Sequence, residues 1–246
     1  MKNEFQVITA DERHFSDEGW LNTYWLVSFS DYYHPENVKF GALRVFNDDI
    51  IAPSTGFPPH THRDFEIVTI VLSGEITHED SMGNRTAVRE GDVQRMSAGT
   101  GVTHSEYNLG TKPLHSYQIW ISPSVRGLKP SYDQRSFPPE YRRNRLLPVV
   151  SGQGLRDVVT MHADATIYVA DLEAGQNVEF SKDESRRIFV YLTAGDMSIK
   201  GERLKSNDQA RIAKRSSLRL QTHDATNLVL IDVPAKETRN KWEGGT

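Results

Sequence analysis

"EIVTIVLSGEITHED" (66–80) and "RRIFVYLTAGDMSIKG" (186–201) share one plan: a strand-length apolar run, a turn at a glycine, and a second short strand. Short apolar runs rich in β-branched and aromatic residues and closed by glycine read as buried strands. The likeness continues outward in order. "REGDVQRMSAGTGVTHSE" (89–106) parallels "KSNDQARIAKRSSLRLQTHD" (205–224), and "HSYQIWIS" (115–122) parallels "TNLVLIDV" (226–233). Similar segments at similar gaps predict two β units of one type in tandem. Further short runs, "FGALRVF" (40–46) and "TAVRE" (86–90), are separated by turn residues such as "SMGNR" (81–85). Long helical periodicity is lacking, so the fold class expected is all-β, two sandwiches or barrels packed together.

The Pro- and Arg-rich stretch "PSVRGLKPSYDQRSFPPEYRRNR" (123–145) reads as a connector. The N-terminal unit is therefore expected over 1–130, with the connector and a second unit over 131–246. A chain of 246 residues can build a substantial core. Its formal net charge of -4 argues against generic attraction to nucleic acid. With no cysteine, disulfides, thiolate metal sites and iron–sulfur clusters are excluded. The opening "MKNEFQVITADERHF" lacks the apolar core of a secretory signal, and no run approaches the ~20 apolar residues of a membrane helix. A cytoplasmic setting with no membrane partner is expected.

Within "GFPPHTHRDFE" (56–66), His60 and His62 are one residue apart, the spacing that puts two side chains on one face of a strand. A second such pair, His104 and Glu106, stands in "SAGTGVTHSEYN" (97–108). Two strands giving two inward ligands each can surround one ion with nitrogen and oxygen donors, leaving positions open for substrate or water. Single histidines such as His14, His34, His162 and His223 read as solvated surface residues. The second half has no matching pairs: "VEFSKDES" precedes its strand run, and His223 in "SLRLQTH" stands unaccompanied. That unit is expected to lack metal ligands and to serve packing.

Gly56, His60, His62, Glu66 and Gly74, followed by Gly91, Gly99, His104 and Asn108, resemble the two-part signature of the cupins, jelly-roll-type β-barrels. The motifs "HRDFEIVT", "HEDSMGN", "GDVQRMSAG" and "HSEYN" closely resemble the pirin family, from about residue 30 to 140 and more weakly beyond. The resemblance implies two tandem cupin barrels and an iron held by His60, His62, His104 and Glu106. Many other cupins use the glutamate of the first motif, here Glu66. Strand parity does not choose between them, because 60, 62 and 66 are all even. The resemblance selects Glu106 and gives Glu66 the part of steadying an imidazole N–H. Two departures, "DYYHP" with His34 and the lead-in "NTYWLVSF", leave the ligands untouched but bear on the pocket entrance.

Bacterial pirins include quercetin 2,3-dioxygenases. The implied activity is therefore oxidative cleavage of a flavonol by dioxygen with release of carbon monoxide, Glu106 also taking the substrate's hydroxyl proton. Phe57, Pro58, Pro59 and Met96 are candidates for an apolar wall around a flat substrate. Fe(II) is the ion expected, although the same donors accept Cu, Zn, Ni, Co or Mn. The alternative reading is a non-enzymatic metal-binding interaction module with a protein partner, as mammalian pirins act on transcription factors.

Overall fold

The apolar runs form strands in the computed structural model, which describes residues 4–236. Up to the connector these are β1 (Phe5–Ile8), β2 (His14–Asp17), β3 (Leu21–Trp25), β4 (Leu43–Ile51), β5 (Thr55–His62), β6 (Glu66–Ser73), β7 (Glu75–Asp80), β8 (Arg85–Arg89), β9 (Asp92–Ser97), β10 (Val102–Asn108) and β11 (Leu114–Ile121). The expected connector contains β12 (Ser131–Ser136) and a short helix, α1 (Pro139–Arg142). The second half then adds β13 (Leu147–Ser151), β14 (Val159–Thr160), β15 (Thr166–Leu172), β16 (Asn177–Ser181), β17 (Arg186–Ala194), β18 (Asp196–Ile199), β19 (Glu202–Lys205), β20 (Gln209–Ala213), β21 (Ser217–Thr222) and β22 (Thr226–Pro234). Among the described residues no helix is long and apolar enough to cross a membrane.

Each half is a large sheet facing a small one. The first pairs β12-β9-β6-β11-β4-β3-β2 with β5-β10-β7-β8, and the second pairs β1-β20-β17-β22-β15-β13-β14 with β16-β21-β18-β19. The two orders correspond strand for strand, with β6 matching β17 and β10 matching β21. Gly74 and Gly195, both at positive φ, close the matching turns after β6 and β17. The outermost strands are exchanged. β1 pairs with β20 of the second half, while β12 pairs with β9 of the first.

The outer faces of the two large sheets meet in the principal core, where Phe46, Val68, Ile70 and Ile119 from one half pack with Ile167, Phe189, Tyr191 and Ile231 from the other. Inside the second unit, residues from both of its sheets, such as Val190, Leu192, Ile199 and Leu220, form a continuous apolar filling. The interior of the first unit differs. Its apolar residues fall into two small clusters, one around Ile76 and Val88 and one around Ile67 and Met96. Polar side chains lie between them.

Candidate metal centre

His60 and His62 lie near the end of β5, which pairs with β10. The adjacent prolines Pro58 and Pro59 have no N–H for the ladder, and the β5–β10 register shifts there, between the pairs His104–His60 and Glu106–Phe57. The resulting bulge sets the aim of His60. Gly56 lets β5 lie close, since a Cβ there would fall 2.2 Å from the backbone oxygen of Glu106. On β10 burial alternates residue by residue, which turns Val102, His104, Glu106 and Asn108 inward.

Three imidazoles converge. Ring centroids are 4.7 Å apart for His60–His62, 4.5 Å for His60–His104 and 5.0 Å for His62–His104. One ring nitrogen from each lies within 4.8 Å of the others. His60 Nδ1 is 2.8 Å from the carbonyl oxygen of Pro58, which assigns the proton to Nδ1 and leaves Nε2 with a free lone pair. His104 is 2% exposed, yet neither of its ring nitrogens has a hydrogen-bond partner. A buried imidazole without partners costs stability unless something fills its coordination, so these donors fit a divalent transition ion. Burial, with the neighbouring imidazoles adding to it, pushes His62 down to about 4 and His104 to about 3. Both rings are therefore neutral and able to ligate at physiological pH.

Glu106 belongs to a second group with His104 and His78, whose ligand atoms also lie within 4.8 Å of one another. His104 is common to both groups. The carboxylate of Glu106 is 2% exposed and held by two amides: Gln94 Nε2 donates to Oε1 at 2.6 Å, and Gln118 Nε2 donates to Oε2 at 2.9 Å. Tyr132 OH, 2.9 Å from Gln94 Oε1, orients that amide with its NH2 toward Glu106. His78 stacks on Tyr132 with centroids 4.7 Å apart and binds Asp80 Oδ2 through Nε2 at 3.1 Å. Its Nδ1 is buried without a partner. Reading the sequence missed His78. Its signal was parity on β7, where Ile76 and His78 are buried and His78 lies opposite Glu106.

Glu66 lies elsewhere. It is buried, accepts from Ser97 Oγ at 2.8 Å, and joins neither histidine group. The reason is a break in strand parity between His62 and Glu66, where Asp64 takes φ 53°. On β6 the even residues Val68 and Ile70 face the other unit, whereas Ile67 and Val71 face inward. Glu66 goes with the outward set. Of the expected wall residues, Phe57 stands 6.2 Å from His60 and 5.0 Å from Trp20, centroid to centroid. Met96 packs with Ile67, Ala98 and Val102, while Pro58 and Pro59 are exposed. Trp120, 4.7 Å from His62, adds an aromatic side the sequence did not mark. His34 and His223 are exposed and belong to neither group.

Among the described residues the second unit has no counterpart. Aligning Gly74 with Gly195 places Ile199 at the position of His78. Leu220 pairs with Ile199 as Glu106 pairs with His78, and Phe180 pairs with Leu218 as His60 pairs with His104. All four residues are part of its apolar filling.

The Pirin family profile matches residues 8–121, and that of the quercetinase C-terminal cupin domain matches 148–233. The chain is 40% identical over 218 residues to a pirin-like protein of Caulobacter vibrioides, covering 88% of this chain and 94% of that protein. It is 37% identical over 226 residues to the quercetin 2,3-dioxygenase of Escherichia coli, covering 92% and 96%. The crystal structure of the bacterial pirin YhhW from Escherichia coli in complex with nickel(II) superimposes with a TM-score of 0.89 at 35% identity, covering 94% of this chain and 99% of that one.

Proposed function

Because the chain belongs to the pirin family, we propose that it is a metal-dependent dioxygenase. In this reading it opens flavonols such as quercetin by 2,3-dioxygenation with release of carbon monoxide. The centre is the N-terminal unit, with His60, His62, His104 and Glu106 as ligands. The observation that carries the reading is the convergence of three imidazoles, one of them buried with both nitrogens unpartnered. The nickel(II) complex of the Escherichia coli relative supports a divalent transition ion. Fe(II) is the ion assigned here, among several this donor set accepts.

When bound, such an ion supplies Lewis acidity toward a phenolic oxygen and a route to dioxygen. The protein's own residues do the rest. His60 is held in one tautomer by Pro58, so its Nε2 is presented without reorganisation. Phe57 and Trp20 form an edge-to-face aromatic wall against which a flat phenol can lie. Trp120 and Met96 keep water from the inner side. Glu106 accepts the proton of the flavonol 3-hydroxyl on a carboxylate oxygen, while Gln94 and Gln118 hold that carboxylate in place.

Metal-loaded protein should bleach quercetin absorbance in air, and a His60→Ala variant should not. Elemental analysis of the same samples should find about one transition ion per chain, lost as the imidazoles protonate toward about pH 4. Turnover no greater than that of the variant would overturn the enzymatic reading in favour of the interaction module. Metal content unchanged down to about pH 4 would overturn the histidine assignment.

A further inference from the structure

The correspondence between the two units extends to the outer faces of their large sheets, where charge changes in a consistent direction. In the first unit Arg95 on β9 is 4% exposed. It lies diagonally across from Glu66 on β6 and opposite Asp133 on β12. Its guanidinium donates to Thr160 O at 2.7 Å and to Ser97 Oγ at 2.9 Å; burial lowers its pKa, and both carboxylates work against that by favouring its charge. The same registers place Arg211 on β20, Arg187 on β17 and Gln6 on β1 in the second unit. One carboxylate has become a second guanidinium and the other an amide. The formal charge of the trio thus goes from -1 (one Arg, one Glu, one Asp) to +2 (two Arg, one Gln).

Arg211 is 7% exposed, and its guanidinium donates to neutral oxygens: Leu26 O at 2.8 Å, and Gln209 Oε1 at 3.2 and 3.1 Å from Nε and Nη2. Arg187 makes no ion pair among the described residues. A buried cation with no counter-charge is costly, and burial alone lowers Arg211 to about 10. Both arginines line a cavity of about 850 Å³ whose wall also carries Tyr32 and Phe40. Its wall carries three glutamates, Glu4, Glu12 and Glu36, of which the first two are already engaged. Glu4 is 3.7 Å from Lys214 and 3.4 Å from Arg215, and Glu12 accepts from the backbone N–H of Thr9 at 2.9 Å.

We propose that this cavity binds a small organic anion, a carboxylate or phosphate monoester, whose oxygens stand between Arg187 and Arg211 where the first unit has its own carboxylates. The planar guanidinium fork suits either oxyanion, and Phe40 and Tyr32 offer an apolar side to the body that bears it. The site lies on the opposite face of the sheet from the unit's apolar filling and owes nothing to the metal centre.

The test is calorimetric titration and thermal unfolding of the full chain with inorganic phosphate and, separately, succinate, against chloride at equal ionic strength. One of the two anions should bind and raise the melting temperature, and the stronger responder identifies the class. Arg187→Glu, which restores the acid of the first unit, should abolish this response and raise the melting temperature of the ligand-free protein. Arg187→Gln should weaken binding about tenfold, as expected for loss of one charged partner. His60→Ala should respond as the parent does. The proposal is overturned if neither anion exceeds chloride, or if both Arg187 variants respond like the parent.

Discussion

The two units share strand order, turn positions and pairing register, and differ in what fills them. Where the first unit places His60, Thr69, His78, Gln94, His104, Glu106 and Gln118, the second places Phe180, Val190, Ile199, Ala210, Leu218, Leu220 and Leu230, all in one apolar cluster. Asp49 corresponds to Ala170 by the same registers, and Tyr132 to Phe5 on the exchanged strand. The fold therefore does not require a polar interior. A backbone of this form closes equally well around aliphatic side chains, and the first unit keeps buried imidazoles and a carboxylate at a cost in stability. Functional sites are where such local conflicts with packing are expected.

The largest effect should come from making the first unit resemble the second. His104→Leu, the residue found at the matching position, should abolish metal binding and flavonol turnover together. The metal-free variant should be more stable than the metal-free parent by roughly 1–3 kcal/mol, since a buried unpartnered polar group is removed. Denaturant unfolding with and without chelator checks both halves of that statement. The converse change, Leu218→His, should destabilise by roughly 2–5 kcal/mol and bind no metal, because it buries a lone imidazole in apolar packing. If Leu218→His were neutral, the comparison would fail.

Gln94→Leu probes the support beneath Glu106. Losing the 2.6 Å donor should lower metal affinity or turnover about 10–100-fold while the three imidazoles remain. Acid sensitivity should be a smaller difference between the units. His62 and His104 titrate well below the ordinary 6.5 in the folded chain, so an unfolded chain binds more protons as pH falls. Their contribution is intact above about 6.5 and lost progressively toward about 4 for His62 and about 3 for His104 in metal-free protein. His104→Leu should flatten that loss, measured as melting temperature against pH. Asp49 has the opposite sign. Burial, with the negative charges of Asp48 and Glu106, raises it to about 7, so its contribution is present below the ordinary 3.8 and lost as pH rises through about 7. Asp49→Asn should stabilise metal-free protein by roughly 1–3 kcal/mol near pH 8 and leave it unchanged near pH 4.

The all-β tandem architecture was legible because alternation and turn glycines are local signals. So was the convergence of His60, His62 and His104, since each pair obeys strand parity within its own strand. Parity fails across a break in the strand, and this is why it does not separate Glu66 from the histidines: the chain reverses its facing at Asp64. His78 was missed for a related reason: it stands alone on β7 and becomes significant only through its register with β10. Nor does any local pattern announce that β1 and β12 are exchanged, because strand partners depend on contacts distant along the chain. The contrast between Asp133 and Gln6 on those exchanged strands could be found only once their partners were known.

That exchange has a consequence for how the molecule is made. During synthesis β1 emerges early, but its neighbour β20 is not available until Ile212 has been added opposite Phe5. The first half likewise waits for residues 131–136 before its large sheet is bordered. A ribosome paused between the halves would carry a sheet with an open edge and a stray strand, each free to pair with a neighbouring nascent chain. Separating the halves by proteolysis or by gene splitting should accordingly yield fragments that aggregate alone and recover when expressed together.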